Sequence, residues 1–254
     1  MRDLRDLKDN GRGLLLKTLF KVTAVLAVVS ASILIAISIV EWRAAESKFG
    51  GLDIDLANAT FTQLDEIEEG RQIAIVKTDR GEFKIALFPE FAPNTVDNFI
   101  KTAESGFYDG TTIISGISGV YFIGGNPEDT TSLPHEITEH MWTFKGAVCA
   151  VSQNYDSSAV GNRLLFVNTI EYDEDTITQL NQLKKDYGNE ALIDNYIEHG
   201  GVLNFAGKYT VFGQVFEGME VYEEICGIAN DAEARTKFTE EVKIESIEIT
   251  TYKK

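Results

Sequence analysis

Residues 72–99 read QIAIVKTDRGEFKIALFPEFAPNTVDNF, and the pattern of this stretch decides the fold. Gln72–Lys77 and Glu82–Phe88 are two runs of strand-forming residues joined by Thr78-Asp79-Arg80-Gly81, whose Asp and Gly suit a hairpin turn. Ala92-Pro93-Asn94-Thr95 then introduces Val96, Phe99, Ile100 and Ala103, apolar at helical spacing, with Asn94 or Thr95 as the amino-terminal cap and Gly106 as the stop. A hairpin is therefore followed by one amphipathic helix that packs on a sheet.

Toward the carboxyl terminus, short apolar runs recur at Thr112–Ile114, Val120–Ile123, Gly146–Val151, Leu164–Asn168, Val211–Phe216 and Val242–Thr250, separated by Gly, Asn, Asp and Ser. Many short strands with few helices favour a barrel or sandwich over alternating strands and helices. Residues 172–199 break this texture. Ile177, Leu180, Leu183 and Tyr187, then Leu192, Ile193, Tyr196 and Ile197, lie at helical spacing on either side of Gly188-Asn189, which predicts a helical hairpin inserted into a barrel loop. The acidic run Glu171, Asp173, Glu174 and Asp175 stabilises a helix start and lacks the spacing and glycine of a calcium loop.

Toward the amino terminus, Val22–Val40 reads VTAVLAVVSASILIAISIV, uncharged and long enough to cross a hydrocarbon core of about 30 Å as a helix. Arg2, Arg5, Lys8, Arg12, Lys17 and Lys21 precede it, and Glu41-Trp42-Arg43 follows. The positive-inside rule then predicts a single-pass cell-membrane protein, with residues 1–21 as a cytoplasmic basic tail and everything after Val40 extracytoplasmic. A cleaved secretory signal is the rival, but its apolar core is usually shorter, about 7–15 residues. Residues 41–70 read as a stalk, with Leu56, Phe61, Leu64 and Ile67 spaced for a short helix or forming an unstructured spacer, and the folded domain is expected over 71–254.

Composition removes several functions. A formal net charge of -17 argues against nucleic acid as a partner, since phosphate neutralisation needs clustered Lys and Arg. The 2 cysteines, Cys149 and Cys226, and the 3 histidines, His135, His140 and His199, have no metal-ligand spacing, so no zinc site or disulfide framework is indicated. The cysteines read as small buried hydrophobes.

Three stretches together resemble the cyclophilin-type peptidyl-prolyl isomerases. They are residues 78–111, from Thr78-Asp79-Arg80-Gly81 through Ala92-Pro93-Asn94-Thr95 to Gly106-Phe107-Tyr108-Asp109-Gly110-Thr111; Gly124-Gly125-Asn126-Pro127; and Gly207-Lys208-Tyr209-Thr210-Val211-Phe212-Gly213-Gln214-Val215 with Glu217-Gly218-Met219 behind it. The similarity runs from Arg71 to Tyr252. It implies a mainly β fold, a closed eight-stranded antiparallel barrel capped by two helices, the second expected at Asp231–Lys237. It also implies that no metal or cofactor is needed and that the partners are proline-containing peptide segments. The family's reaction is rotation about an X-Pro bond, in which a pocket grips the proline ring while an Arg guanidinium weakens the double-bond character of the amide.

The active face departs from the family's pattern. Its catalytic Arg position is Ser115, its pocket Phe and Met fall on Val120 and Tyr121, and the Gln that orients the Arg falls on Ile123. A second active-site Gln becomes Arg163 and a pocket Phe becomes Leu165, while the pair that binds substrate backbone maps to Val151-Ser152. Phe205 and Tyr209 stand where the family has Leu and commonly His, with Asn204 in a Trp or His position. Two functions follow. One is a tethered isomerase that assists folding outside the membrane at reduced rate, with Arg163 as a relocated guanidinium. The other is a catalytically inactive module that binds extended peptide or an envelope protein partner through this face.

Overall fold

A computed structural model describes residues 54–125, 131–151, 161–170, 172–187 and 189–254. The Val22–Val40 span, the tail, Ser152 and Asn126-Pro127 lie outside the described residues. Among the described residues, no helix is long and apolar enough to cross a membrane.

Eight strands form the frame: β1 (Gln72–Thr78), β2 (Gly81–Leu87), β3 (Thr112–Ile117), β4 (Tyr121–Gly124), β5 (Ala147–Val151), β6 (Arg163–Val167), β7 (Thr210–Glu217) and β8 (Lys237–Thr251). They close into a barrel in the order β1-β2-β7-β5-β6-β4-β3-β8, every neighbouring pair antiparallel. Closure removes the exposed edges that would otherwise invite pairing with another chain.

Period-two alternation sorts the strand residues into two cores. On β2, Phe83, Ile85 and Leu87 join a cluster with Phe122, Phe166 and Phe212, while Ala86 joins a different one with Phe88, Ile123 and Leu165. The first cluster fills the barrel and is closed by two helices, α1 (Pro93–Glu104), through Val96, Phe99 and Ala103, and α4 (Met219–Cys226), through Tyr222, Ile225 and Cys226. Phe122 stacks on Phe166 at 4.6 Å, and Phe83 meets Phe166 edge-on at 5.7 Å, the two geometries that suit aromatic quadrupoles. Both cysteines are free and buried, with Cys226 in this core and Cys149 in the second.

The inserted hairpin is present as α2 (Glu174–Tyr187) and α3 (Glu190–His199), with Asn189 capping α3 by accepting from Leu192 N–H. It forms a third core, in which Leu180, Leu192, Ile193 and Tyr196 pack with Trp142 and Phe144.

Three expectations need correction. The second capping helix lies at Met219–Cys226, not at Asp231–Lys237. Tyr222, Ile225 and Cys226 give α4 an apolar face, whereas residues 231–237 are exposed and the Asp231 carboxylate takes the N–H groups of Glu233 and Ala234 into a turn. The start of α1 is not capped by Asn94 or Thr95. Its N-cap is Ala92, Pro93 occupies the first turn, and the Glu136 carboxylate accepts the N–H groups of both Asn94 and Thr95 from a distant loop. Finally, residues 54–70 are not a free stalk. Two short 3-10 turns, Leu56–Asn58 and Thr62–Leu64, set Leu56, Phe61 and Leu64 against the third core, and Gln63 is buried.

Candidate functional site

The β-ladders place a row of residues side by side across the outer face of the barrel. Ser115 on β3 stands opposite Ile123 on β4, Ile123 opposite Leu165 on β6, and Leu165 opposite Cys149 on β5. Side chains of directly opposed residues share a face, so Ser115, Ile123 and Leu165 form one floor. Ile123 and Leu165 are buried against the second core, which leaves their upper surface to the cleft. Tyr121 stands two residues from Ile123 on the same face, as strand alternation requires.

The wall comes from a loop. A 3-10 turn at Leu203–Phe205 presents Phe205, whose ring meets Tyr121 at 5.6 Å and Tyr209 at 5.4 Å, both edge to face. The three rings brace one another, so the wall stands without ligand. Floor and wall enclose a cleft of about 340 Å³ lined by Ser115, Gly116, Tyr121, Ile123, Leu165, Phe205, Tyr209 and Thr236. Gly116 is required by the approach of β4: a Cβ there would lie 2.2 Å from the Tyr121 carbonyl oxygen.

Six of the positions expected from sequence, Ser115, Tyr121, Ile123, Leu165, Phe205 and Tyr209, therefore meet in one cleft. Val120 and Val151 do not line it; they pack in the second core beneath, Val151 opposite Arg163 in the β5–β6 ladder. Arg163 is half-buried at the start of β6 and is not among the residues that line the cleft. Sequence reasoning missed Gly116 and Thr236. The Gly116 N–H donates to the Thr236 carbonyl, which ties the 231–237 turn to the cleft rim, and assigning that turn to a helix hid it.

The chemistry of this lining is apolar and hydroxylic. Among the described residues that line the cleft, none is charged, and the hydroxyls are those of Ser115, Tyr121, Tyr209 and Thr236. Next to Leu165 on β5, burial pushes the Cys149 thiol up, so it is neutral and serves as packing. No group of three or more His, Cys, Asp or Glu suited to a metal ion occurs among the described residues. The site can hold a compact apolar ring and donate neutral hydrogen bonds.

The family model "Cyclophilin type peptidyl-prolyl cis-trans isomerase/CLD" matches residues 73–249. The chain belongs to the cyclophilin family. It is 28% identical over 202 residues to a Staphylococcus aureus (strain USA300) protein named "Putative peptidyl-prolyl cis-trans isomerase", a match covering 75% of this chain and 98% of the relative. A Staphylococcus epidermidis protein of the same name is 28% identical over 194 residues, covering 72% and 94% of the two chains. Among solved structures, a cyclophilin type peptidyl-prolyl cis-trans isomerase of Cryptosporidium parvum superposes with a TM-score of 0.54 at 18% identity, covering 72% of this chain and 99% of that one. A second structure of that protein, determined in the presence of the dipeptide Ala-Pro, gives 0.53 at 19% identity. At such identities the structural likeness shows the cyclophilin fold. The matched residues exclude Val22–Val40 and the tail before it.

Proposed function

We propose that this cyclophilin is a membrane-tethered prolyl isomerase of reduced rate, acting on proline-containing segments outside the membrane. The observation that carries the reading is the cleft itself: an apolar floor and an aromatic wall stand at the family's pocket positions, while Ser115 replaces the guanidinium. That the related parasite structure was determined in the presence of the dipeptide Ala-Pro supports X-Pro as the ligand class.

Rotation about an X-Pro bond needs no covalent chemistry. Its barrier of about 18–20 kcal/mol reflects amide resonance, and an enzyme lowers it by binding the twisted amide better than the planar one. Burying the proline ring against Leu165 and Phe205 fixes one side of the bond, and a hydroxyl from Ser115 can hydrogen-bond the amide as it twists. Charge-assisted hydrogen bonds are roughly twice as strong as neutral ones. A neutral donor forfeits about 1–3 kcal/mol of transition-state stabilisation, roughly fivefold to 150-fold in rate.

The tether and the outward orientation rest on Val22–Val40 and on the Lys/Arg excess before it. A second reading, a non-catalytic module that binds peptide or an envelope partner, is favoured by the joint loss of Arg at Ser115 and of its orienting Gln at Ile123. A protease-coupled isomerisation assay on the whole chain in detergent, run beside titration with a labelled Ala-Pro peptide, separates them. Catalysis above the uncatalysed rate, with binding, supports the isomerase. Binding without catalysis selects the module, and absence of both overturns the cleft reading.

A further inference from the structure

The row that forms the cleft floor continues past Ser115. On its other side Ser115 stands opposite Lys237, the first residue of β8. Phe238, next in the chain, is buried in the barrel core, so alternation turns Lys237 to the outer face, the face on which Ser115 meets the cleft. Thr236, on the other side of Lys237, lines the cleft. Lys237 is exposed, and no salt bridge among the described residues engages it. The Asp231 carboxyl is held below its usual range by the N–H groups of Ala234 and Glu233, against burial, with a smaller contribution from the Lys237 charge.

We infer that Lys237, beside Ser115 at the rim of the cleft and not itself among its lining residues, supplies the cation of the site, its ammonium reaching over Ser115 to contact the carbonyl or nitrogen of a bound prolyl amide. This rests on the isomerase reading above. Opposed residues in an antiparallel ladder have Cα atoms about 5 Å apart, and a lysine carries its charge on a flexible four-carbon stem, so the ammonium reaches across Ser115 to the edge of the floor. Arg163 is worse placed. It lies on β6, separated from β3 by β4, so it stands about 10 Å to the side of Ser115 and a further two residues along the strand. A lysine is a point charge without the bidentate geometry of a guanidinium, so it restores attraction but not orientation.

The test compares Lys237→Gln, Lys237→Arg and Arg163→Gln in the whole chain, by prolyl isomerisation and by thermal unfolding. Lys237→Gln is expected to lower kcat at least tenfold with KM changed less than twofold, Lys237→Arg to retain activity, and both to keep the unfolding midpoint. Activity that survives Lys237→Gln overturns the inference alone. A loss equal in Lys237→Arg and Lys237→Gln overturns it as well, as does a loss confined to Arg163→Gln, which would assign the charge to β6. A parent chain that fails to isomerise prolyl bonds overturns the underlying reading and this inference with it.

Discussion

Gln63 grips the backbone of Trp142 from both sides of its amide: Trp142 N–H donates to Oε1 at 2.6 Å, and Nε2 donates to the Trp142 carbonyl at 2.9 Å and to Gln214 Oε1 at 2.8 Å. The side chain mimics one rung of a β-ladder, and it fastens residues 54–70 to the same β7 strand that precedes α4. Thr60 adds a backbone bond to Glu139 and receives the Trp142 indole N–H. Gln63→Ala strands buried donors and acceptors and is expected to cost about 2–4 kcal/mol, read as a lowered denaturation midpoint. A chain beginning at Arg71 is expected to be less stable still and to bind a hydrophobic dye through the uncovered third core, while one that keeps residues 54–70 is not.

Ser115→Arg returns a guanidinium to the floor row. With Ile123 opposite it and no Gln to orient the group, the single variant is expected to raise kcat/KM by roughly threefold to tenfold, and Ser115→Arg with Ile123→Gln by more. No gain in either variant would sink the idea that the missing charge limits the rate.

The aromatic wall carries the ring-binding step. Phe205→Ala removes both edge-to-face contacts and opens the cleft, and is expected to weaken binding of an Ala-Pro peptide at least tenfold, measured by titration calorimetry. Because Phe205 is only half-buried, the unfolding midpoint should fall by a few degrees at most.

Glu136 gives a pH dependence. Burial pushes its carboxyl up, but hydrogen bonds from Asn94 and Thr95 outweigh this and hold it below the usual carboxylate range. A depressed folded-state value means that the stabilisation is complete above the unfolded value of about 4.3 and is lost as pH falls through the folded value. Glu136→Gln is expected to cost about 1 kcal/mol at pH 7 and much less near pH 3, measured by urea denaturation at both.

The two thiols report on the barrel. Burial pushes Cys226 up to about 11, and Cys149 is buried beside Leu165 on the neighbouring strand. Both are expected to resist a charged thiol reagent in the native chain and to react within seconds in denaturant. Fast reaction of either in the folded protein would contradict the packing beneath the cleft.

Elements built from local pattern were legible in the sequence. The β1–β2 hairpin, the apolar face of α1 and the two inserted helices depend on spacing between near neighbours, and each lies within a residue or two of its expected place. The misplaced second cap shows the limit: residues 231–237 and 219–226 are both short polar-apolar mixtures, and only the barrel end waiting to be covered selects the one whose Tyr222 and Ile225 can fill it. The cap on α1 was invisible for the same reason, since Glu136 is 42 residues from Asn94.

The sequence by itself determined that residues 71–252 carry a cyclophilin barrel, because its motifs lie in ordered strings of residue types that can be compared one by one. Only the tertiary structure decided which of the candidate positions share a cleft, that Val120 and Val151 pack in the second core, and that residues 54–70 belong to the folded unit. It also decided that Lys237, 122 positions along the chain from Ser115, is its neighbour. Strand register is a property of pairs, set by the closure of the whole barrel, and no single strand carries it.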